Sequence, residues 1–137
     1  MALAYLAGRG PSFTSVRDVG DRLGIPRRLL AEVLKDLARG GLVEGARGPG
    51  GGYRLRGEAE DIALGRVVEV LEGPIHVADC ADGGCCEHES ACIIQYGMRG
   101  VAGRIKSVLD QSTLAELVAA AQPPRGASAP VALRMPV

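Results

Sequence analysis

Four cysteines, Cys80, Cys85, Cys86 and Cys92, lie within thirteen residues of one another. A disulfide framework spreads its cysteines to tie distant elements together, whereas a single tight cluster points to metal or redox chemistry. Thiolates are soft ligands suited to iron–sulfur clusters or zinc. No pair has the C-x-x-C spacing of zinc ribbons, which favours a cluster. His88, Glu87 and Glu89 lie among the thiols as further candidate ligands, and His76 lies farther off. A lone histidine in a polar loop is ordinarily just solvated. His88 is a candidate only because of the thiols around it.

A second stretch carries a different chemistry. Ala46 to Leu55 reads A-R-G-P-G-G-G-Y-R-L, with four glycines and one proline between the apolar pairs Leu42-Val43 and Tyr53 to Leu55. Glycine loses the most backbone freedom on ordering, so a dense run implies unusual φ values or a close backbone approach. Between strand-like residues it reads as the tip of a β-hairpin spanning Leu42 to Arg56, framed by the positive charges of Arg47 and Arg54.

The elements upstream must position that hairpin. Ser15 is an N-cap, with Asp18 three residues on, and Val16, Val19 and Leu23 form a helical face that Gly24 ends. Pro26 suits the start of a helix over Arg27 to Arg39, whose apolar stripe is Leu29, Leu30, Val33, Leu34 and Leu37 and which Gly40-Gly41 stops. Two amphipathic helices joined by a tight glycine turn make a helix-turn-helix. In such a motif the start of the second helix reaches base edges, which here means Arg27 and Arg28, with Lys35 further along for phosphate. An αα-hairpin in an ordinary bundle, with solvated arginines, is the plainer alternative. The hairpin that follows, an Arg-tipped wing, favours DNA.

The remainder of the chain supports the same division. A short Ala/Leu-rich helix over Met1 to Ala7 begins as though most of a helix lay upstream. Asp61 to Gly73 is a helix with Leu64, Val67, Val68 and Leu71 inward. Ile75 to Ala91 is irregular. Ile93 to Leu109 is a long helix with Ile94, Met98, Val101, Ile105 and Val108 at helical spacing. Its glycines, Gly97, Gly100 and Gly103, admit a close neighbour, so it is expected to pair with a second copy. Ser112 or Thr113 with Glu116 caps a last helix to about Ala121. The Pro/Ala-rich stretch that follows, 122–137, lacks periodicity and is expected to be a disordered tail.

Net charge is zero over 137 residues, but it is unevenly distributed. Residues 1–56 hold ten Lys/Arg against five Asp/Glu, and residues 57–95 hold one against nine. A basic first half beside an acidic middle fits a nucleic-acid-facing module. The acidic loop itself is not expected to touch DNA. Apolar residues are 47% and aromatics 3% of the chain, enough for an aliphatic core. No apolar run nears the roughly 20 residues of a membrane span, and no leader pattern opens the chain. A cytoplasmic protein without membrane association is the expectation. No Ser/His/Asp constellation, phosphate-cradling loop or carboxylate pair suggests catalysis, so no enzyme is expected.

The run L-A-R-G-G-L-V-E-G-A-R-G-P-G-G-G-Y-R-L, the following I-A-L-G-R-V-V-E-V-L-E-G-P, the clustered cysteines and T-L-A-E-L near the end resemble, in that order, the iron–sulfur and redox-sensing repressors of the Rrf family, typified by IscR and NsrR. The match covers about residues 2–121. The resemblance implies a mainly α fold with a small β-hairpin: a winged helix-turn-helix over residues 1–73, a cysteine-rich cluster-binding loop over 74–92, and a dimerisation helix with a C-terminal helix over 93–121. It implies a homodimeric transcriptional regulator, a repressor, whose binding to double-stranded promoter DNA is controlled by an iron–sulfur cluster sensing iron, nitric oxide or redox state. By position, Arg47 resembles the wing arginine that enters the minor groove. Gly48, Gly50 and Gly51 lie in the loop along the backbone, and Arg54 accompanies them. Cluster-binding relatives use three spaced cysteines, and Cys80, Cys86 and Cys92 fit best, with Cys85 as a substitute for Cys86. The cluster would be [2Fe-2S] or [4Fe-4S]. For the fourth ligand some relatives place a histidine where this chain has Gln95, a poor ligand. His88, Glu87, Glu89 and Cys85 are the local substitutes. A zinc site or a bare thiol switch remains the alternative.

Overall fold

In the computed structural model, residues 1–84, 86–88 and 91–121 are described. The expectations for Cys85, Glu89 and the tail at 122–137 lie outside them. Six helices and one hairpin follow in order: α1 (Ala2–Ala7), α2 (Val16–Leu23), α3 (Arg27–Arg39), β1 (Val43–Ala46), β2 (Gly52–Leu55), a short 3-10 turn (Ala59–Asp61), α4 (Leu64–Glu72), α5 (Gln95–Gln111) and α6 (Leu114–Ala121). Among the described residues no helix is long and apolar enough to cross a membrane.

The capping signals act as the sequence suggests. Ser15 Oγ accepts from the Asp18 amide at 3.0 Å and donates to Asp18 Oδ2 at 2.7 Å. Thr113 and Glu116 satisfy each other's amides at 3.0 and 3.2 Å. These bonds use up amide donors that a helix start leaves without partners. At the end of α3 the chain turns through Gly41, φ +76°, and the Leu42 amide reaches back to the Leu37 carbonyl at 2.9 Å. That turn aims the chain straight into β1.

The core is aliphatic. Leu6, Val19, Leu30, Leu34, Leu37 and Val43 are fully buried, joined by Ala2, Leu3, Leu42, Ile62 and Leu114. Each such leucine contributes roughly 1.5–3 kcal/mol relative to an exposed one. The α1 helix packs on α6 and on β2, which brings the two ends of the described chain together beside the hairpin.

Three expectations about this packing are corrected. The helix expected from Asp61 starts only at Leu64, because Ile62 and Ala63 are extended and pair with the α5–α6 junction. There the Leu64 amide donates to Ser112 and the Leu114 amide to Ile62, both at 2.8 Å. The inner face of α4 is Gly65, Val67 and Val70 rather than Leu71, which is 39% exposed. Val70 lies so close to Gly40 that a β-carbon there would come within 2.5 Å of it. Leu29, expected in the α3 stripe, is 54% exposed.

Candidate nucleic-acid interface and cysteine loop

The α2 and α3 helices with their Gly24 turn make the expected helix-turn-helix, and the hairpin follows at once. The antiparallel register pairs Val43 with Leu55, Glu44 with Arg54, Gly45 with Tyr53 and Ala46 with Gly52. An isolated bridge, unexpected from the sequence, adds to this two-stranded sheet. Thr14, just before α2, exchanges both backbone bonds with Tyr53 at 2.9 Å. Gly52 makes this approach possible. Its φ is +142°, and a β-carbon there would sit 2.1 Å from the Thr14 carbonyl oxygen.

At the tip, Gly48 and Gly50 take φ of +90° and +75°, and the Gly51 amide closes the turn onto the Gly48 carbonyl at 3.0 Å. Arg47 is exposed at the start of this tip. Neither it nor Lys35, exposed on α3, has a hydrogen-bond or ion-pair partner among the described residues. Arg28 is 94% exposed at its side chain, with only Glu32 at 3.7 Å. Arg27 is engaged more firmly: one guanidinium nitrogen lies 3.0 and 3.3 Å from the two oxygens of Asp21 across the helix-turn-helix. Arg54 departs furthest from expectation. Its Nε donates to Glu44 at 2.5 Å, its Nη1 donates to the Pro11 carbonyl at 3.0 Å, and its guanidinium lies 4.5 Å from the Phe13 ring centre. Its donors are engaged by the protein's own groups, although the side chain stays 35% exposed.

The cysteine loop is docked on α5 by polar contacts. Lys106 Nζ donates to Asp82 Oδ1 at 2.5 Å, and Arg99 Nε donates to the Cys80 carbonyl at 3.1 Å. These two side chains stand two helical turns apart on one face of α5. Asp82 also accepts from the Val77 amide at 3.0 Å. The Lys106 bond, followed by that amide, lowers the Asp82 carboxyl from 3.8 to about 2. His76 stands between two carboxylates, with Nε2 3.0 Å from Asp79 and Nδ1 3.0 Å from Asp82, so it is taken up within the loop. None of Phe13, Asp21, Glu44, Arg99 or Lys106 stood out in the sequence. A counted hairpin register would have placed Glu44 opposite Arg54.

Cys80, Cys86 and Cys92 are free thiols and half-buried. Among the described residues no group of three or more His, Cys, Asp or Glu is gathered so as to hold a metal ion. The donor types suit an iron–sulfur cluster, but the described residues of one chain do not bring them together. His88 is exposed, as is Glu87.

The opposite face of α5 is open. Ile94, Val101, Ile105 and Val108 form an exposed stripe, and nothing lies within 4 Å of where β-carbons would stand at Gly97, Gly100 and Gly103.

The Rrf2 family, described as iron-dependent transcriptional regulator, matches residues 1–120. The HTH-type transcriptional regulator IscR of Vibrio atlanticus is 37% identical over 101 residues, covering 74% of this chain and 58% of that protein. The regulator of the same name from Escherichia coli is 34% identical over 101 residues, covering 74% and 62%. The matched region thus spans about three-fifths of these relatives. Among solved structures, CymR, the global cysteine regulator of B. subtilis, superposes with a TM-score of 0.73 at 29% identity, covering 88% of this chain and 89% of that one. IscR of T. potens gives 0.67 at 29% identity, covering 88% and 80%.

Proposed function

The chain belongs to the Rrf2 family of transcriptional regulators, and from that premise we propose that it binds double-stranded operator DNA as a homodimer and represses transcription in the cytoplasm. The observation that carries this reading is the helix-turn-helix followed by a hairpin whose tip presents Arg47 without a partner among the described residues. An unpaired cation needs no internal bond broken before it meets a phosphate, and each phosphate neutralised releases counterions. Lys35 is available in the same way, and Arg28, 94% exposed at its side chain, has to give up only a 3.7 Å contact with Glu32. The open stripe of α5 supports dimerisation through that helix. Two copies would then offer recognition helices to half-sites about 34 Å apart.

We further propose that Cys80, Cys86 and Cys92 supply thiolates to an iron–sulfur cluster, [2Fe-2S] or [4Fe-4S], whose state sets promoter affinity. The clustered thiols and the relatives named IscR support this. His88 or Glu87 is available as a fourth ligand, besides Cys85 and Glu89. When bound, such a cluster supplies a centre sensitive to iron supply, nitric oxide and oxidants. The chain's own contribution is to hold the Cys80 part of the loop against α5 through Lys106 and Arg99, on the face of that helix opposite the proposed dimer surface. A thiol switch is the second reading, favoured by the free and ungathered thiols. A zinc site is the third. Anaerobic purification with iron and sulfide analysis separates them. A visible absorbance band with stoichiometric iron and sulfide is expected. A colourless protein overturns the cluster, with bound zinc pointing to a structural site and metal-free reactive thiols to a switch.

A further inference from the structure

Among the described residues, Arg54 is the one basic residue of the hairpin whose guanidinium is held by the protein's own groups. Its charge faces Glu44, directly opposite in the register, so the pair bridges the two strands. Its second nitrogen leaves the hairpin altogether and reaches the carbonyl of Pro11, 43 residues earlier in the chain. The planar guanidinium also lies over Phe13. These contacts meet the segment that leads into α2 through Thr14 and the Ser15 cap. Thr14 itself pairs with Tyr53, the neighbour of Arg54. The hairpin is therefore joined to the entrance of the helix-turn-helix twice, once through backbone and once through this one side chain. A fork of donors in fixed geometry makes two directed bonds and a stack at once, which an ammonium does not.

We propose that Arg54 is a positioning residue of the wing. It sets the angle at which the hairpin leaves the helix-turn-helix and so where Arg47 meets DNA, without touching DNA itself. This rests on the DNA-binding reading above. It adds a role that a basic residue at a wing would not ordinarily be given, since its charge is spent on Glu44.

The test separates a strut from a phosphate contact. The probe is a duplex selected from a randomised library by the wild-type protein, and affinity is measured against NaCl concentration. A lost phosphate contact lowers the slope of log affinity against log salt by about 0.9. Arg47→Ala should do so. Arg54→Ala should weaken binding about tenfold with the slope unchanged, because what is lost is preorganisation. Arg54→Lys keeps the charge and should stay weak. Glu44→Ala removes a negative charge beside the DNA face, yet should also weaken binding. A reduced slope for Arg54→Ala, rescue by Arg54→Lys, or tighter binding by Glu44→Ala would each overturn the strut. In the free protein, Arg54→Ala and Arg54→Lys should speed amide exchange at Thr14 and Tyr53, and unchanged exchange overturns the proposal without reference to DNA. If the wild type selects no duplex, the DNA-binding reading itself fails and the role falls with it, whatever the exchange shows.

Discussion

The hairpin and the cysteine loop are both rich in glycine and charge, yet they are held by different forces. The hairpin is rooted in the core: Leu42 and Val43 are buried, and Tyr53 and Leu55 pack against the main cluster. Its base is interlocked with Thr14 through backbone bonds. Among the described residues between 74 and 94, none is buried and none packs against that cluster. The loop rests instead on Lys106, Arg99 and the turn built around Asp82. Apolar burial resists local opening, whereas exposed polar contacts open at little cost. On the function proposed above, the surface offered to DNA would keep its shape while the thiol-bearing loop would be easy to rearrange.

Glycine substitutions should break the comparison most strongly. Gly52→Ala places a β-carbon 2.1 Å from the Thr14 carbonyl at a φ of +142°. The combination of strain and overpacking should destabilise the fold by roughly 2–5 kcal/mol. Gly83→Ala in the cysteine loop also has a positive φ, +82°, but its β-carbon would meet nothing within 4 Å. It should cost about 1 kcal/mol and leave DNA affinity near wild type. Urea denaturation with a duplex titration checks both. Equal destabilisation would mean that the loop is as firmly built as the hairpin.

A smaller effect is expected from Lys106→Met, which removes the bond that docks the loop while keeping the aliphatic stem. Amide exchange over residues 77–84 should rise severalfold, with Thr14 and Tyr53 unaffected and the thermal midpoint almost unmoved. Lys106→Arg, which retains a donor to Asp82, should restore most of the protection. Exchange that rises everywhere would show that the loop and the hairpin share one cooperative unit.

Local chemistry made much of this legible beforehand. The cap at Ser15, the Gly40-Gly41 stop, the glycine-rich tip and the Thr113–Glu116 box each depend on residues within a few positions, and each forms as read. Pairings between distant segments leave no periodic trace. The Thr14–Tyr53 bridge and the junction of Ile62 with Leu114 join segments some 40 to 50 residues apart, and the second of these delayed the start of α4. The same limit governs the site. Arg47 and Arg54 look alike as residue types flanking one turn, and they are distinguished by Glu44 across the register and by the position of Pro11 and Phe13. The thiols announced themselves by clustering, but Lys106 and Arg99 read as ordinary helix residues because the loop they hold arrives from elsewhere.

The smallest effect sharpens the contrast without any change of sequence at the hairpin. Exposed charge pairs are screened as the Debye length falls from about 10 Å in 0.1 M salt to about 3 Å in 1 M. The loop depends on the Lys106–Asp82 pair, so raising NaCl over that range should speed exchange at Val77, whose amide is bonded to the same carboxylate. The rise should be modest, roughly two- to threefold, because contact pairs are screened less than distant charges. Thr14 and Tyr53 are fixed by backbone bonds over a buried core and should respond less, because Arg54 keeps its Pro11 and Phe13 contacts when its pair with Glu44 is screened. Lys106→Met supplies the control: with the cation gone, the salt sensitivity at Val77 should vanish. A response that persists in that variant would assign the docking of the loop to Arg99 or His76 instead, and a response shared equally by Thr14 would remove the distinction between the two regions.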